Sequence, residues 1–255
     1  MRAPAAVIHI PHSSAHIPGK LLEYYLLSRR ELERELLLMT DWYTDELLAL
    51  TPSLAVTVKY PVSRLVVDPE RFSDDAREPM SAKGMGAVYE RTADQKPLRR
   101  SLSSAEREAL LEEFYDPHHQ ALDRAVGEAL SRSGRCLIID GHSFPGSPLP
   151  YEDDQRSDRP EICIGTDDYH TPAWLGLVTL EAFRREFRTV ELNRPFSGAL
   201  VPQAYHRKDD RVRSVMIEVN RALYMDERTG EKLPGFEEIR KRIQRAVTAV
   251  IEPVG

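Results

Sequence analysis

The sequence predicts an α/β protein built around one largely parallel sheet, and two patterns indicate it. Short apolar runs alternate with helix-prone segments along the 255-residue chain. Runs such as residues 136–140 (CLIID) are continuously apolar, which is typical of strands buried on both faces. We therefore expect a single domain over residues 1–255, a three-layer αβα sandwich whose central sheet is mixed but largely parallel, of the phosphorylase/hydrolase-like kind.

The predicted strands are short and apolar. They occupy residues 7–10, 54–60, 64–68, 136–140, 161–165, 189–192 and 214–219. Between them, residues 69–100 and 143–160 are polar and irregular, and long excursions of this kind often carry function.

The predicted helices follow from apolar periodicity and from capping residues. A long helix is expected over residues 21–39, and Asp41 is expected to cap the next one, in WYTDELLAL. A capping box at Ser103 and Glu106 predicts a helix as far as residue 133, which Pro117 should kink or divide. Further helices are expected from about residue 171 and over residues 236–251, where an apolar stripe recurs at helical spacing.

Composition excludes several classes of function. The net charge is −6, from 35 basic and 41 acidic residues that are interspersed, so no nucleic-acid-binding patch is indicated. No signal peptide or membrane-length apolar run is present, which predicts a cytoplasmic protein without a membrane partner. Cys136 and Cys163 lie in apolar runs and are expected in the core. The phosphate-binding motifs GxGxxG and GxxxxGK[ST] and the hydrolase motif GxSxG are missing.

Two histidines come directly after predicted buried strands, at the edge of the sheet where α/β proteins bind ligands. His12 follows VIHI and His142 follows CLIID, and together they suggest a shared metal ion. A catalytic zinc has three protein ligands as a rule, so we expect a third, for which Asp41 is the candidate. Asp140 is better placed to orient an imidazole from behind, and His119 is weakly favoured to approach the site. The alternative is that each histidine is a satisfied polar residue.

A carboxylate and several cations complete the candidate site. Glu218 lies in the apolar run VMIEVN, where it either faces solvent or acts as a general acid and base beside the metal. Arg64 and Arg71 bracket VVD and suggest an anionic substrate, because guanidinium groups match carboxylates. Asn220 and Arg221 repeat this pattern, although the arginines could instead pair with acidic neighbours of their own.

Seven motifs, in order, resemble those of the N-formylglutamate amidohydrolases, a family similar in fold to the zinc carboxypeptidases and aspartoacylase-type deacylases. They are VIHIPHSS, DWYTDELL, SRLVVDPERF, YDPHHQAL, IIDGHSFP, RPFSGALVP and IEVNRALYMDE, and they extend from residue 7 to about 227.

The resemblance implies a hydrolase that uses one divalent metal, with zinc the expected ion, to cleave N-formyl-L-glutamate to formate and glutamate in histidine degradation. By position, His12 and His142 match metal ligands, Glu218 matches the acid/base glutamate, and Arg64 and Arg71 resemble carboxylate binders. Two positions depart from the relatives. Ala15 stands where the carboxypeptidase-like proteins have a ligand glutamate, and Glu70 stands where relatives have asparagine.

Two further hypotheses remain open. The same chemistry could act on a different N-acyl amino acid, as in a related deacylase, or on a peptide, as in a carboxypeptidase. A protein of another class, a metal-free binder of small carboxylates on a hydrolase scaffold, is the non-enzyme alternative. The expected partner in each case is a small anionic molecule. The sequence does not indicate whether the chain is a monomer or an oligomer.

Overall fold

A computed structural model describes residues 5–252 and contains one six-stranded sheet flanked by helices. Residues 1–4 and 253–255, the two ends of the expected domain, lie outside this description. The strands are β1 (Ala6–Ile10), β2 (Val56–Lys59), β3 (Cys136–Phe144), β4 (Ile162–Gly165), β5 (Val190–Leu192) and β6 (Val212–Asn220).

The strand order is β2-β1-β3-β6-β4-β5, and the sheet is mixed as expected. Strands β2, β1, β3 and β6 are parallel to one another, whereas β4 pairs antiparallel with β6 and parallel with β5. The carboxyl ends of β1, β3 and β6 therefore meet at one edge of the sheet, which is where polar residues follow the apolar stretch of each strand.

Helices cover both faces of the sheet. They are α1 (Arg29–Met39), α2 (Thr44–Leu47), α3 (Ser104–Leu110), α4 (Asp116–Ser133), α5 (Ala173–Arg184) and α6 (Phe236–Ile251). Apolar residues of α4, among them Leu122 and Val126, pack on one face against Val7 and Ile138. Helices α2, α5 and α6 pack on the other face, so the predicted three-layer αβα architecture is confirmed. None of the helices within residues 5–252 is long and apolar enough to cross a membrane.

Three local predictions about residues 21–68 are wrong. Residues 21–39 form a 3-10 turn (Gly19–Tyr24) and then α1, because Ser28 and Glu31 make a capping box that begins the helix later. Asp41 is not the cap of α2, since Tyr43 occupies that position in the left-handed conformation. Residues 64–68 are not a strand, because their backbone makes turn bonds such as Val66 N–H to Ser63 O.

Proline divides the long predicted helix as expected. The capping box of Ser103 and Glu106 begins α3, and a π-helical turn, Leu111–Tyr115, joins α3 to α4. Pro117 follows this π-helical turn directly, and the changed hydrogen-bond spacing there accommodates a residue that has no N–H to donate. The two cysteines are buried and unpaired, as predicted.

Candidate active site

The register of the sheet brings distant residues to one face. His142 lies beside Glu218 in the β3–β6 pair, and His9 lies beside Asp140 in the β1–β3 pair. Paired residues on parallel neighbours point to the same face, and so do residues two apart on one strand. The side chains of His9, Asp140, His142 and Glu218 therefore lie on the same face of the sheet. Helix α4 packs on this face nearer the amino ends of the strands, against Val7 and Ile138. Strand β3 continues to Phe144, so His142 lies within the strand and not after it.

His12 is buried and is held by a carboxylate on one side only. Its Nε2 lies 2.9 Å from Asp68 Oδ1, which makes Nε2 the donor nitrogen. Its Nδ1 is buried without a hydrogen-bond partner, and the nearest carboxylate oxygen, Asp41 Oδ2, is 3.5 Å away. Nδ1 thus lies toward Asp41 with no hydrogen bond of its own, while a carboxylate backs the other ring nitrogen, as it does behind many metal-binding imidazoles.

His142 repeats this arrangement from the neighbouring strand. Its Nδ1 lies 3.1 Å from Asp41 Oδ2, and its Nε2 lies 3.2 Å from both Asp140 Oδ1 and Glu70 Oε1. The rings of His12 and His142 are 5.1 Å apart between centroids. The Nδ1 atoms of two buried imidazoles therefore face one carboxylate oxygen.

Arg221 fixes the orientation of that carboxylate. It donates from Nη2 to Asp41 Oδ1 at 2.9 Å, and it also contacts Ser143 and the Leu38 carbonyl. Because Oδ1 is held by Arg221, Oδ2 faces the two imidazoles. The alternative raised from the sequence, that Arg221 pairs with an acidic neighbour, describes its contact in the structure, and the neighbour is Asp41.

The electrostatics of the cluster favour a cation. Burial and Arg64 act to lower the pKa of His12, but Asp68 and Asp41 outweigh them and raise it. Burial likewise opposes a charge on His142, whereas Glu70 and Asp140 raise its pKa well above the usual value. The cluster therefore favours positive charge although the histidines are buried. A bound divalent ion would supply that charge in place of two protonated imidazoles.

Ligand atoms lie close enough to share an ion in two groups of described residues. One consists of His12, Glu70 and His142, and the other of His9, Glu70 and Asp140. Asp41, the third ligand expected from the sequence, is in neither group, although its Oδ2 lies 3.5 Å from His12 Nδ1 and 3.1 Å from His142 Nδ1. The buried His12 Nδ1, which has no hydrogen-bond partner among the described residues, and the imidazole–carboxylate donor set fit a zinc-type ion at the first of these places.

Glu218 is buried and does not face solvent. Burial raises the pKa of its carboxyl to about 8, with His142 opposing the shift and Asp41 adding to it. Its Oε2 atom has no hydrogen-bond partner among the described residues. An unpaired carboxyl beside a candidate metal site is suited to hold and release a proton.

The residues predicted to contact substrate differ in whether their side chains already have partners within the protein. Arg64 is committed to Asp68, with Nη2 2.7 Å from Oδ2. Arg71 makes only a long ion pair with Asp68, at 3.8 Å, and its Nε has no hydrogen-bond partner within residues 5–252. The Asn220 side chain donates to the Pro160 carbonyl and accepts from the Ala222 N–H, so it serves the local backbone.

His119 lies outside this cluster. Its Nε2 bonds the Pro69 carbonyl at 2.8 Å. The histidine that approaches from α4 is His118, 2.9 Å from His9 Nε2, and His9 Nδ1 in turn lies 2.8 Å from Asp140. Asp140 Oδ1 also lies 3.2 Å from His142 Nε2, and the buried chain of His118, His9 and Asp140 is an arrangement that sequence analysis did not predict.

A cavity of about 180 Å³ connects these groups. Its wall contains His12, Asp41, His142, Glu218 and the three arginines Arg64, Arg71 and Arg221, together with Glu70, Tyr151 and Glu152. Asp140, His119 and Asn220 are outside this wall. The arrangement places candidate metal ligands, the proton-transfer candidate Glu218 and guanidinium groups that could bind an anion around one cavity.

Two residues important to the geometry were not predicted as site residues. Asp68 accepts from His12, Arg64 and the Tyr89 hydroxyl, and Arg64 with His12 holds its pKa well below the usual range against the effect of burial. Glu70 appeared only as a departure from relatives. The available signal was position, because both acids follow RLVV near the candidate arginines.

Known proteins resemble this chain along most of its length. The chain is 25% identical to an N-formylglutamate deformylase of Pseudomonas putida over 228 residues, which cover 87% of this chain and 82% of the relative. Its fold matches a crystal structure of N-formylglutamate amidohydrolase from Ralstonia eutropha JMP134, with a TM-score of 0.84, 23% identity, and coverage of 100% of this chain and 95% of the other. A gene product of Agrobacterium tumefaciens matches with a TM-score of 0.69 at 21% identity, covering 100% and 93%.

The family model for N-formylglutamate amidohydrolase matches residues 5–225. This span includes both histidines of the cavity, the carboxylates that contact them and Glu218. The matched length, together with the curated relative, agrees with the motifs read from the sequence. The chain therefore belongs to the N-formylglutamate amidohydrolase family.

Proposed function

We propose that this chain is a metal-dependent hydrolase that cleaves N-formyl-L-glutamate to formate and L-glutamate. The observation that carries the proposal is the convergence of two backed imidazoles, one shared carboxylate and the protonatable Glu218 on a single small cavity. The names of the bacterial relatives support the substrate.

His12, Asp41 and His142 would hold the ion, which we expect to be zinc. The choice of Asp41 over Glu70 rests on the nitrogens, because both Nδ1 atoms face Asp41 while both Nε2 atoms face other carboxylates. When bound, a divalent ion supplies Lewis acidity, which polarises an amide carbonyl and acidifies water.

Glu218 performs the proton transfer. It accepts a proton from the attacking water and delivers it to the amide nitrogen as the carbon–nitrogen bond breaks. Burial raises the pKa of its carboxyl to about 8, which favours the protonated form that donates in the second step, and its Oε2 atom has no hydrogen-bond partner among the described residues.

Arg71 binds a substrate carboxylate. Of the three arginines in the wall, it alone has a guanidinium not committed to a close carboxylate, because Arg64 pairs with Asp68 and Arg221 with Asp41. Arg64 and Arg221 act by positioning these acids and by keeping the cavity attractive to anions. A contact of Asn220 with substrate stays a prediction.

The decisive experiment measures metal content and activity together. Purified protein should contain about one equivalent of zinc, lose turnover of N-formyl-L-glutamate with a chelator, and regain it when zinc returns. The His12→Ala/His142→Ala variant should bind no stoichiometric metal. Turnover that persists in fully metal-free protein refutes the mechanism.

A pair of variants identifies the third ligand. Asp41→Asn should weaken zinc binding far more than Glu70→Gln if Asp41 is the ligand, because an amide lacks the charge of the carboxylate. The reverse order assigns the ligand to Glu70. Both variants keep the size of the side chain, so circular dichroism can check that the fold is unchanged.

The other hypotheses are separable in the same assay. A panel of N-acyl amino acids and short peptides, compared by kcat/KM, distinguishes formylglutamate from another acyl substrate. A protein that binds small carboxylates without metal and turns over none of them would be the non-enzyme alternative. Cytoplasmic location and a role in histidine degradation stay predictions.

A further inference from the structure

A second, larger cavity adjoins the one that contains Glu218. It measures about 710 Å³, against about 180 Å³ for its neighbour, and Glu70, Arg71, Ser197 and Met216 belong to both walls. Pockets that enclose drug-sized ligands measure roughly 300–1,000 Å³. The smaller cavity suits only a compact molecule, whereas the larger one has room for an additional group of several carbons.

The boundary between the two cavities lies beside the reacting groups. Glu70, in both walls, places Oε1 3.2 Å from His142 Nε2. Arg64 and Arg221 line the small cavity alone and Arg71 lines both, so we place the amino-acid part of an N-acyl substrate in the small cavity. If the amide lies between the imidazoles and Glu218, the larger cavity, on the other side of Glu70, faces the acyl group.

Part of the wall of the larger cavity is apolar. It includes Met80, Tyr115, Leu200, Val201 and Met216. Three acids, Glu70, Glu78 and Asp140, also line it, and each already has a partner, which for Glu70 is His142. Glu78 accepts the backbone N–H groups of Phe72 and Met80, and Asp140 contacts His9, His142 and the Leu200 N–H.

Cations stand at the rim of the larger cavity. Arg77 is exposed and lies over the Phe72 ring at 4.8 Å, and Lys208 donates to the Gln203 carbonyl. Neither forms an ion pair within residues 5–252. Arg71, where the cavities meet, is assigned to the amino-acid carboxylate, so Arg77 and Lys208 are the cations available to the acyl end. Apolar side chains and the unpaired cations Arg77 and Lys208 in one cavity complement an alkyl chain that ends in an anion.

We propose that the larger cavity is an acyl subsite and that the chain also hydrolyses N-acyl amino acids whose acyl chain is several carbons long and ends in a carboxylate. The proposal rests on the proposed amidohydrolase function. In the reaction, the hydroxyl of water joins the carbonyl carbon, the carbon–nitrogen bond breaks, and the water's proton reaches the nitrogen through Glu218. The products are a dicarboxylate and the free amino acid.

The test compares acyl groups on one amino acid with the zinc-loaded protein. The kcat/KM values of the N-formyl, N-acetyl, N-hexanoyl and N-adipyl derivatives of L-glutamate are measured. N-adipyl-L-glutamate should exceed the neutral hexanoyl compound about fivefold, the upper range for an exposed ion pair. Arg77→Ala should remove most of this preference. Arg30→Ala, an exposed arginine that lines neither cavity, is the matched control and should leave it intact.

A second variant tests the space itself. Ala199 is half-buried in the wall of the larger cavity only, so Ala199→Trp should lower the adipyl-to-formyl ratio of kcat/KM at least tenfold. An equal loss for both substrates would mean that the cavity is only an entrance, and the subsite would be rejected. A thermal melt checks that the variant is folded.

The outcomes separate the subsite from the proposed function. Turnover of formyl-L-glutamate without any longer acyl derivative overturns the subsite and leaves the function standing. Turnover of the adipyl but not the formyl compound supports the subsite and rejects formylglutamate as the substrate. If no derivative is cleaved, the function fails, and calorimetry with adipate decides the subsite. Binding weakened by Arg77→Ala supports it, and the absence of binding overturns it.

Discussion

Replacing Asp68 with asparagine tests whether this buried acid orients the candidate metal ligand. The carboxylate is completely buried and accepts from the Glu70 backbone N–H and from three side chains, His12 Nε2 at 2.9 Å, Arg64 Nη2 at 2.7 Å and the Tyr89 hydroxyl at 2.5 Å. Asparagine keeps the shape but removes the charge and turns one acceptor oxygen into a donor nitrogen. The new amide nitrogen would then face at least one side chain that now donates a hydrogen bond to the carboxylate, and that hydrogen bond would be lost.

Two separate losses follow from these contacts. Without a carboxylate behind Nε2, the metal affinity of His12 should fall about 10–100-fold, which corresponds to about 1.4–2.7 kcal/mol. The guanidinium of Arg64, whose side chain is only 12% exposed, also loses its charge partner. Removing one member of a buried ion pair costs about 3–5 kcal/mol of folding stability, and we expect the lower end because Tyr89 remains.

Zinc competition with a chelating indicator measures the first loss, and urea unfolding of metal-free protein measures the second. The matched control is Asp168→Asn, which breaks an exposed aspartate–arginine pair with side chains 72% and 54% accessible. Exposed pairs contribute at most about 1 kcal/mol, so the control should change stability little and zinc affinity not at all.

The result that refutes the reasoning is specific. If folded Asp68→Asn protein binds zinc as tightly as the unmodified chain, Asp68 does not orient His12, and the carboxylate-backed imidazole is not part of the site. If its stability falls no further than that of the Asp168→Asn control, the buried pair with Arg64 contributes no more than a surface pair does.

Three further predictions concern separate parts of the chain. Glu218→Gln should lower kcat roughly 10²–10⁴-fold with zinc content unchanged, and retention of a tenth of the activity would contradict its proton-transfer role. Arg71→Ala should raise KM for N-formyl-L-glutamate about 10–100-fold, as loss of a charged hydrogen bond does, and an effect on kcat alone would argue against carboxylate binding. Gly141→Ala should destabilise the fold by about 1–3 kcal/mol in urea, because its new methyl meets the Leu48 and Ile10 side chains, and unchanged stability would contradict the packing.

The central strands and the last helix could be predicted because their signal is local. The apolar run of β3, the late strand β6 and the stripe of α6 are each visible within a few residues, and the structure confirms all three. The same locality placed His12, His142 and Glu218 near strand ends, and the structure brings them to one cavity.

The parts that sequence could not supply depend on irregular backbone. Residues 64–68 resemble a strand in composition, yet they turn, and Asp68 reaches His12 across 56 positions of the chain. Glu70 meets His142 across 72 positions, from a segment whose path no periodicity describes. One usable signal was overlooked. Alternate residues of β3, from Ile138 through Asp140 to His142, share a face and change from apolar to polar.

The reversed direction of β4 has a consequence for how the wall of the site is built. Because β4 is antiparallel to β6, it begins at the same edge where β3 and β6 end. Residues 145–161 therefore cross directly above the end of β6 with no crossover helix, and their Pro160 and Glu161 carbonyls are tied to Asn220. Tyr151 and Glu152 enter the small cavity from this segment. Part of the wall of the site therefore comes from a segment outside the sheet, held by Asn220 at its end and by Lys83 and Arg194 along its length, so its side chains can reach the cavity without belonging to any strand.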